Sequence, residues 1–199
     1  MNETKESLLT EEEGEKLQFR KCIVALAGLP LTGKSTLGTE LARRSNFIFL
    51  DVNDVRWNVF PRRGKRLPDK QEQFAMQTSY QKNHERARDL LQQGKPVILT
   101  ATYSRELYHQ MLKSLAKKSD VPLKVFVLEA SGKEIERRIK QRLKKDNLSV
   151  VQSLEGFLEV KNRYALITNV DLTEIDATLS LKQNIKQIFQ ALSSLEIKN

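Results

Sequence analysis

The chain has 199 residues, 34 Lys and Arg against 25 Asp and Glu, and a net charge of +9. That length suits one domain with room for a core, and 39% apolar with 30% charged residues excludes a wholly disordered chain. One cysteine, Cys22, excludes a disulfide framework and a cysteine-ligated zinc site, and the longest apolar run, Cys22 to Leu31, is too short to span a bilayer.

Residues 1–20 hold six Glu against Lys5, Lys16 and Arg20, a balance of −3, so the remaining chain carries +12. This acidic, polar head has no secretory-signal character, and with so little cysteine the expected location is cytoplasmic. It reads as a loosely held tail before one domain over 21–199. From residue 21, short apolar runs alternate with longer amphipathic ones. Cys22–Ala27 reads as a buried strand, and Lys34–Ser45 as a helix with Leu37, Leu41 and Ala42 on one face. Phe47–Leu50 is a second strand, followed by a helix start at 54–60 and a loop with Pro61, Gly64 and Pro68. Gln71–Gln93 reads as one long helix closed by Gly94, and Val97–Thr100 as a third strand. Ser104–Lys118 is helical, with Ser104 the expected cap. Leu123–Leu128 is a fourth strand, Lys133–Lys145 a basic helix, 153–167 a further helix, Leu172–Ile175 a short fifth strand, and Leu181–Leu195 the closing helix. Strands alternating with such helices imply an α/β fold, a parallel sheet covered on both faces.

Gly28-Leu29-Pro30-Leu31-Thr32-Gly33-Lys34-Ser35 matches G-x-x-x-x-G-K-[ST], and it lies between a buried strand and a helix start. Glycines let the backbone wrap an anion where side chains would collide. Successive N–H groups and the helix N-terminus then point at a phosphate. Lys34 reaches the β- and γ-phosphates, the Ser35 hydroxyl is placed to ligate Mg2+, and Thr36 to reach the α-phosphate. No N-K-x-D signature and no long apolar strand ending in Asp-Glu occurs, which counts against a GTPase and a motor ATPase.

Beyond the loop, four segments carry a likeness: GLPLTGKSTLGTELARR, FLDVNDVRWNVF, GKPVILTATYSREL and VFVLEASGKEIERRIKQR, with the ending VDLTEIDATLSLKQNIKQIFQAL. Together they resemble the small P-loop kinases grouped with the zeta-toxin, gluconate-kinase and polynucleotide-kinase-like enzymes among the AAA-family ATP-binding proteins. The resemblance implies a three-layer α/β/α fold, five parallel strands in the order 2-3-1-4-5, and a helical lid over about 133–165. It also implies ATP and Mg2+ as cofactors, and transfer of the γ-phosphoryl group to a hydroxyl.

In such kinases an Asp after the second strand, three residues before an Arg, takes the acceptor's proton. Here the Arg position is Arg56, but the Asp position is Asn53, which cannot accept it. Asp51 and Asp54 flank it. Asp51, at the strand's C-terminal end, is favoured as base or metal-side acid. Asp54 is the second candidate, on the acceptor side with Arg56. The competing reading makes these carboxylates helix caps. The family's third strand commonly reads V-I-L-D-A-T, whereas this chain has Thr100 where the metal-steadying Asp stands. Leu31 replaces a usual glycine. On the basic helix, Arg138 and Arg142 share a face. By resemblance, Arg138 stacks on adenine or touches phosphate, and Arg142 stabilises the transferring group.

Two other readings remain open. The losses at 53 and 100 fit a nucleotide-binding module with impaired catalysis. The +12 body and the Pro61–Arg66 loop fit a polynucleotide 5′-kinase or nucleic-acid binder, although a solvated loop explains the latter equally. Trp57, Phe60 and Tyr80 could line an acceptor pocket or belong to the core, and His84 and His109 are assigned no chemistry. The acceptor has no signature in the sequence, and no membrane partner is expected.

Overall fold

A computed structural model describes residues 16–60, 69–143, 151 and 153–197. Its core is a parallel sheet of β1 (Ile23–Ala27), β2 (Ile48–Asp51), β3 (Val97–Thr100), β4 (Leu123–Glu129) and β5 (Asp171–Asp176). The strand order is β2-β3-β1-β4-β5, as the resemblance implies, and all four pairings are parallel. The helices are α1 (Lys34–Arg43), α2 (Val52–Val59), α3 (Asp69–Gln92), α4 (Glu106–Ser119), α5 (Gly132–Leu143), α6 (Leu154–Asn162) and α7 (Leu181–Ala191). Among the described residues no helix is long and apolar enough to cross a membrane.

The strands are apolar throughout because both faces are covered, and their period of two divides the core. Ile23, Ala25, Val97, Leu99, Val125 and Val127 pack with Tyr80, Leu91 and Leu112 of α3 and α4. Val24, Leu26, Ile98 and Phe126 pack with Leu37, Leu41 and Ile188 of α1 and α7. The result is three layers with the C-terminal strand ends along one edge. That edge collects the loops after β1, β2 and β3, where open α/β sheets bind ligands. A third, smaller cluster joins Leu31 of the first loop to Ile135 and Ile139 of α5 and to Val151 and Phe157. The lid region therefore has an apolar seam of its own with the phosphate loop.

Several boundaries differ from the sequence reading, each with a local cause. Residues 17–20 are docked: Leu17 bridges Ser45, Phe19 bridges Glu196, and the Phe19 ring is buried against Phe47 and Phe189. One large aromatic with somewhere to go outweighs the polar character of its neighbours. Helix α1 stops at Arg43, because the chain turns to make that bridge and the Ser45 hydroxyl donates to the Leu41 carbonyl at 2.6 Å. Helix α4 is capped by Arg105, not Ser104, whose carbonyl accepts the Ala165 N–H at 3.0 Å instead. Helix α6 ends at Asn162, short of the expected 167, and β5 is longer than expected because it pairs along β4 from Lys124 to Glu129. Residues 1–15, the 61–66 cationic loop, and residues 144–150 of the lid lie outside the described residues.

Candidate active site

The loop between β1 and α1 needs backbone shapes that few residues tolerate. Gly28 has φ 125° and lies against the Leu128 backbone, where a Cβ would collide with the carbonyl oxygen. Gly33 has φ 93° and caps α1. Leu31 takes φ 70°, a left-handed conformation costly for a side-chain-bearing residue. What holds it there is burial in the seam with Ile135 and Ile139. The sequence flagged Leu31 as a departure, and the structure gives the departure a compensating contact.

Lys34 lies at the centre of this cradle. Its Nζ donates to the Gly28 carbonyl at 2.9 Å and the Leu29 carbonyl at 2.7 Å, with the Thr32 hydroxyl at 3.5 Å. Burial pushes its ammonium from 10.5 down to about 8; the Asp51 carboxylate opposes that shift and the Arg142 cation adds to it. Two cations crowded in this way make a site that gains from an anion. Thr36 is exposed at the first turn of α1.

The Ser35 Oγ donates to Asp51 Oδ2 at 2.5 Å, so the two residues expected to flank Mg2+ are in direct contact. Asp51 is buried, and its Oδ1 accepts the Asn53 N–H at 2.8 Å as the N-cap of α2. The capping reading of Asp51 is what the structure shows: one carboxylate oxygen caps the helix, and the other accepts from Ser35. Capping also fixes the carboxylate's direction, which a site acid needs. Asp54 and Asn53 are exposed on the first turn of α2.

Thr100 pairs with Asp51 across β2 and β3 and with Leu26 of β1, so it sits mid-sheet at the same edge. It is buried, and its Oγ1 has no hydrogen-bond partner. Ser35, Asp51 and Thr100 are all hard oxygen donors, the set Mg2+ takes when it keeps several waters and substrate phosphates. Among the described residues no group of three or more His, Cys, Asp or Glu forms a protein-only metal cage. The residues present fit a hydrated Mg2+ held partly by its nucleotide.

On the acceptor side, Arg56 is not an open cation. Its guanidinium is buried, 4.8 Å from the Trp57 ring centroid, and ion-paired to Glu72 of α3. Arg56 Nε and Glu72 Oε2 are buried without partners. Sequence reading missed Glu72. The signal existed: Glu72 precedes Ala75, Ser79 and Asn83 on the inward stripe of α3, and a carboxylate there implies a buried cation opposite. Tyr80 belongs to the core, stacked on Tyr108 at 4.0 Å. His84 and His109 are buried and bonded to Tyr103, whose own N–H donates to the Tyr80 hydroxyl.

On α5, Arg138 ties three parts together. Its Nε donates to Glu134 at 2.6 Å, one terminal nitrogen to the Leu31 carbonyl at 2.9 Å, and the other to the Ala177 carbonyl at 2.6 Å. It is thus a strut between the loop and the end of β5, and it also lines a cavity of about 440 Å3. The same cavity is bordered by Thr36, exposed Arg142, Leu181 and Asn184. Its size falls in the range of roughly 300–1,000 Å3 usual for ligand pockets.

A parallel sheet in this order, with a glycine-bounded anion cradle after its first strand, defines a small P-loop protein of kinase-like architecture. A family model described as an AAA domain matches residues 23–166, and the chain belongs to that family. No curated protein matches the sequence. Solved structures do. A sugar kinase of Janibacter sp. HTCC2649 is 16% identical with a TM-score of 0.67, over 88% of this chain and 95% of that one. A gluconokinase of Sinorhizobium meliloti 1021 is 14% identical with a TM-score of 0.64, over 91% and 95%. The APS kinase of Mycobacterium tuberculosis is 13% identical with a TM-score of 0.57, over 87% and 98%. At these identities they establish the fold.

Proposed function

We propose that this protein binds ATP with Mg2+ and transfers the γ-phosphoryl group to a hydroxyl of a small molecule. The observation that carries the reading is the Ser35–Asp51 contact beside Lys34, at the sheet edge and next to the cavity. In the reaction, the bond from the γ-phosphorus to its bridging oxygen breaks and ADP leaves. A bond from the acceptor oxygen to that phosphorus forms, and the acceptor's proton passes to Asp51. Lys34 and Arg142 offset the charge that develops on the transferring group. Ser35, with Thr100 behind it, would hold Mg2+, which would neutralise phosphate charge when bound, and Asp51 would serve the metal side only where it is not the base. Asp54 and Arg56 border the acceptor, Arg56 through its fixed pair with Glu72.

That all three of the solved structures described above are called kinases supports this class of reaction. The second reading, binding without transfer, draws on Thr100, which supplies a hydroxyl where a carboxylate would supply charge. One experiment separates them: a panel of hydroxylated acceptors with γ-labelled ATP, comparing wild type, Lys34→Ala and Asp51→Asn. Transfer in wild type that both variants lose supports the kinase. ATP binding with no transfer to any acceptor supports the binding module. Equal transfer by wild type and Asp51→Asn overturns the role given to Asp51. The nucleic-acid reading rests on the 61–66 loop and on net charge, and no observation at the site favours it.

A further inference from the structure

Behind β3, the rings of Tyr80, His84, Tyr103 and Tyr108 pack together, with Tyr108 stacked on Tyr80. The first three are tied to one another. The Tyr80 hydroxyl accepts the Tyr103 N–H at 2.9 Å, and the Tyr103 hydroxyl meets His84 Nε2 at 3.2 Å. The Tyr108 hydroxyl forms no hydrogen bond among the described residues, although Tyr108 is only 4% exposed. Unlike the Tyr164 hydroxyl, it is not sealed from solvent. It also faces charge. Burial raises the phenol above its ordinary value, the Arg105 cation opposes that, Glu72 adds to it and Arg56 opposes it. Arg56 and Glu72 are the pair on the acceptor side. Arg105 heads α4, exposed, with no hydrogen bond or ion pair among the described residues. No side chain caps α4, and the N–H groups of Glu106 and Leu107 are likewise without partners among those residues. Glu106 directs its carboxylate back along the helix, to His109 at 3.2 Å and Gln110 at 3.4 Å. This turn stands at the site edge: β3 ends at Thr100 beside Asp51, and the Thr102 carbonyl accepts the Gly28 N–H at 3.4 Å.

We infer that the acceptor carries an anionic group besides its reacting hydroxyl, and that Arg105, the Tyr108 hydroxyl and the free N–H groups at the start of α4 receive it. This rests on the phosphoryl-transfer reading above. Arg56 is not available for that part, because Glu72 already matches its charge. The charge of Arg105 is unmatched, and its planar fork suits a carboxylate or a phosphate. The Tyr108 phenol, held in place by its stack, donates a hydrogen bond without adding charge. The helix end contributes two further donors and its positive pole. An uncharged acceptor leaves all of these to water.

The test loads the protein with Mg2+ and a non-hydrolysable ATP analogue, so that the cradle is filled. It then titrates glycerate, glycerol phosphate and glycerol, following backbone amide and arginine Nε–H signals by NMR. At least one of the two anions is expected to shift the Glu106 and Leu107 amides and the Arg105 Nε–H to saturation. Whichever saturates at the lower concentration identifies the group as carboxylate or phosphate. Glycerol is expected to bind about tenfold more weakly or less, and Arg105→Gln to weaken the anion about as much, the scale of losing a charged hydrogen bond. Tyr108→Phe keeps the ring stack and is expected to weaken the anion about three- to tenfold. Neither variant changes glycerol binding, and both melt as wild type does. If neither anion moves the α4 signals, or glycerol binds as well as they do, the inference is overturned. Either variant binding the anion as wild type does also overturns it. Failure of the analogue to shift the Gly33 and Lys34 amides is a separate result and removes the nucleotide reading, whatever the α4 signals do.

Discussion

The phosphate side of the proposed site comes from one continuous stretch, Gly28 to Thr36, whereas its proposed acceptor side is assembled from β2, α2, α3 and β3. On the first side Lys34 and Thr32 are engaged locally, Lys34 on the carbonyls of Gly28 and Leu29 and the Thr32 hydroxyl on the Leu29 carbonyl at 2.9 Å, and Ser35 reaches across to Asp51. On the second, three buried polar atoms have no partner: Arg56 Nε, Glu72 Oε2 and Thr100 Oγ1. A phosphate is the same in every nucleotide, so its cradle can be fixed by backbone geometry alone. An acceptor differs from one enzyme to the next, so no single contiguous motif encodes its side of the proposed site.

Breaking the phosphate side gives the largest effect. Lys34→Ala is expected to lower phosphoryl transfer by about 10²–10³, the scale of losing one preorganised charge-stabilising donor. Its ATP affinity falls at least tenfold, since hydrogen bonds to charged groups are worth about 1.5–3 kcal/mol. Asp51→Asn keeps a capping oxygen for the Asn53 N–H but loses the proton acceptor. It is expected to bind ATP while transfer drops by about 10²–10⁴. Labelled-ATP assays beside calorimetry measure both, and transfer undiminished in either variant breaks the comparison.

The acceptor side is broken by Glu72→Ala, which strands the buried Arg56 charge. Removing one partner of a buried pair costs about 3–5 kcal/mol, and partial exposure of Glu72 places this one near the lower end. For a chain of this size that lowers the melting temperature by about 6–12 °C. Nucleotide affinity stays within about twofold wild type, because Glu72 is remote in chain and element from the cradle. Loss of ATP binding along with stability would show that the two sides are not separate.

The same division governs what could be read in advance. Layers and cradle were legible because β1 is uniformly apolar and the loop motif is contiguous, so neither needs knowledge of distant neighbours; the strand order came from the family resemblance, not from periodicity. Asp51 was legible as a carboxylate at a strand end, with capping as a competing role; only the structure shows that one oxygen caps α2 while the other meets Ser35. Glu72 was missed, although it is a polar residue on an otherwise inward stripe. Its meaning depends on what lies across the interface, and helix periodicity carries no information on that. Phe19 was hidden similarly: its neighbours are polar, and its pocket is made by Phe47 and Phe189, far along the chain.

A smaller effect sharpens the link between cradle and lid. Leu31→Gly relieves the left-handed strain, worth about 1–2 kcal/mol. It also removes a leucine from the seam with Ile135 and Ile139, worth about 1.5–3 kcal/mol on burial. The net change in stability is expected to be within about 1 kcal/mol, destabilising. Amide hydrogen exchange in α5 should speed up in the variant even though its melting temperature barely moves. Unchanged exchange would show that the seam does not hold α5 against the loop.

The smallest effect is a pH dependence with a definite sign. Lys34 in the folded chain loses its proton near 8, against 10.5 for an ordinary lysine. Between those values the unfolded chain binds more protons than the folded one, so stability without nucleotide rises as pH increases from about 8 to 10.5. ATP affinity changes in the opposite direction over the same interval, because a neutral lysine gives the phosphates a weaker partner. A few-fold weakening of ATP between pH 7.5 and 9 is therefore expected, limited to about tenfold per pH unit by a single proton. Lys34→Met should bind weakly and flatten both trends. The sign matters more than the size. If stability and affinity rise together, Lys34 is not burdened by burial beside Arg142, and the cradle is not a site in want of an anion.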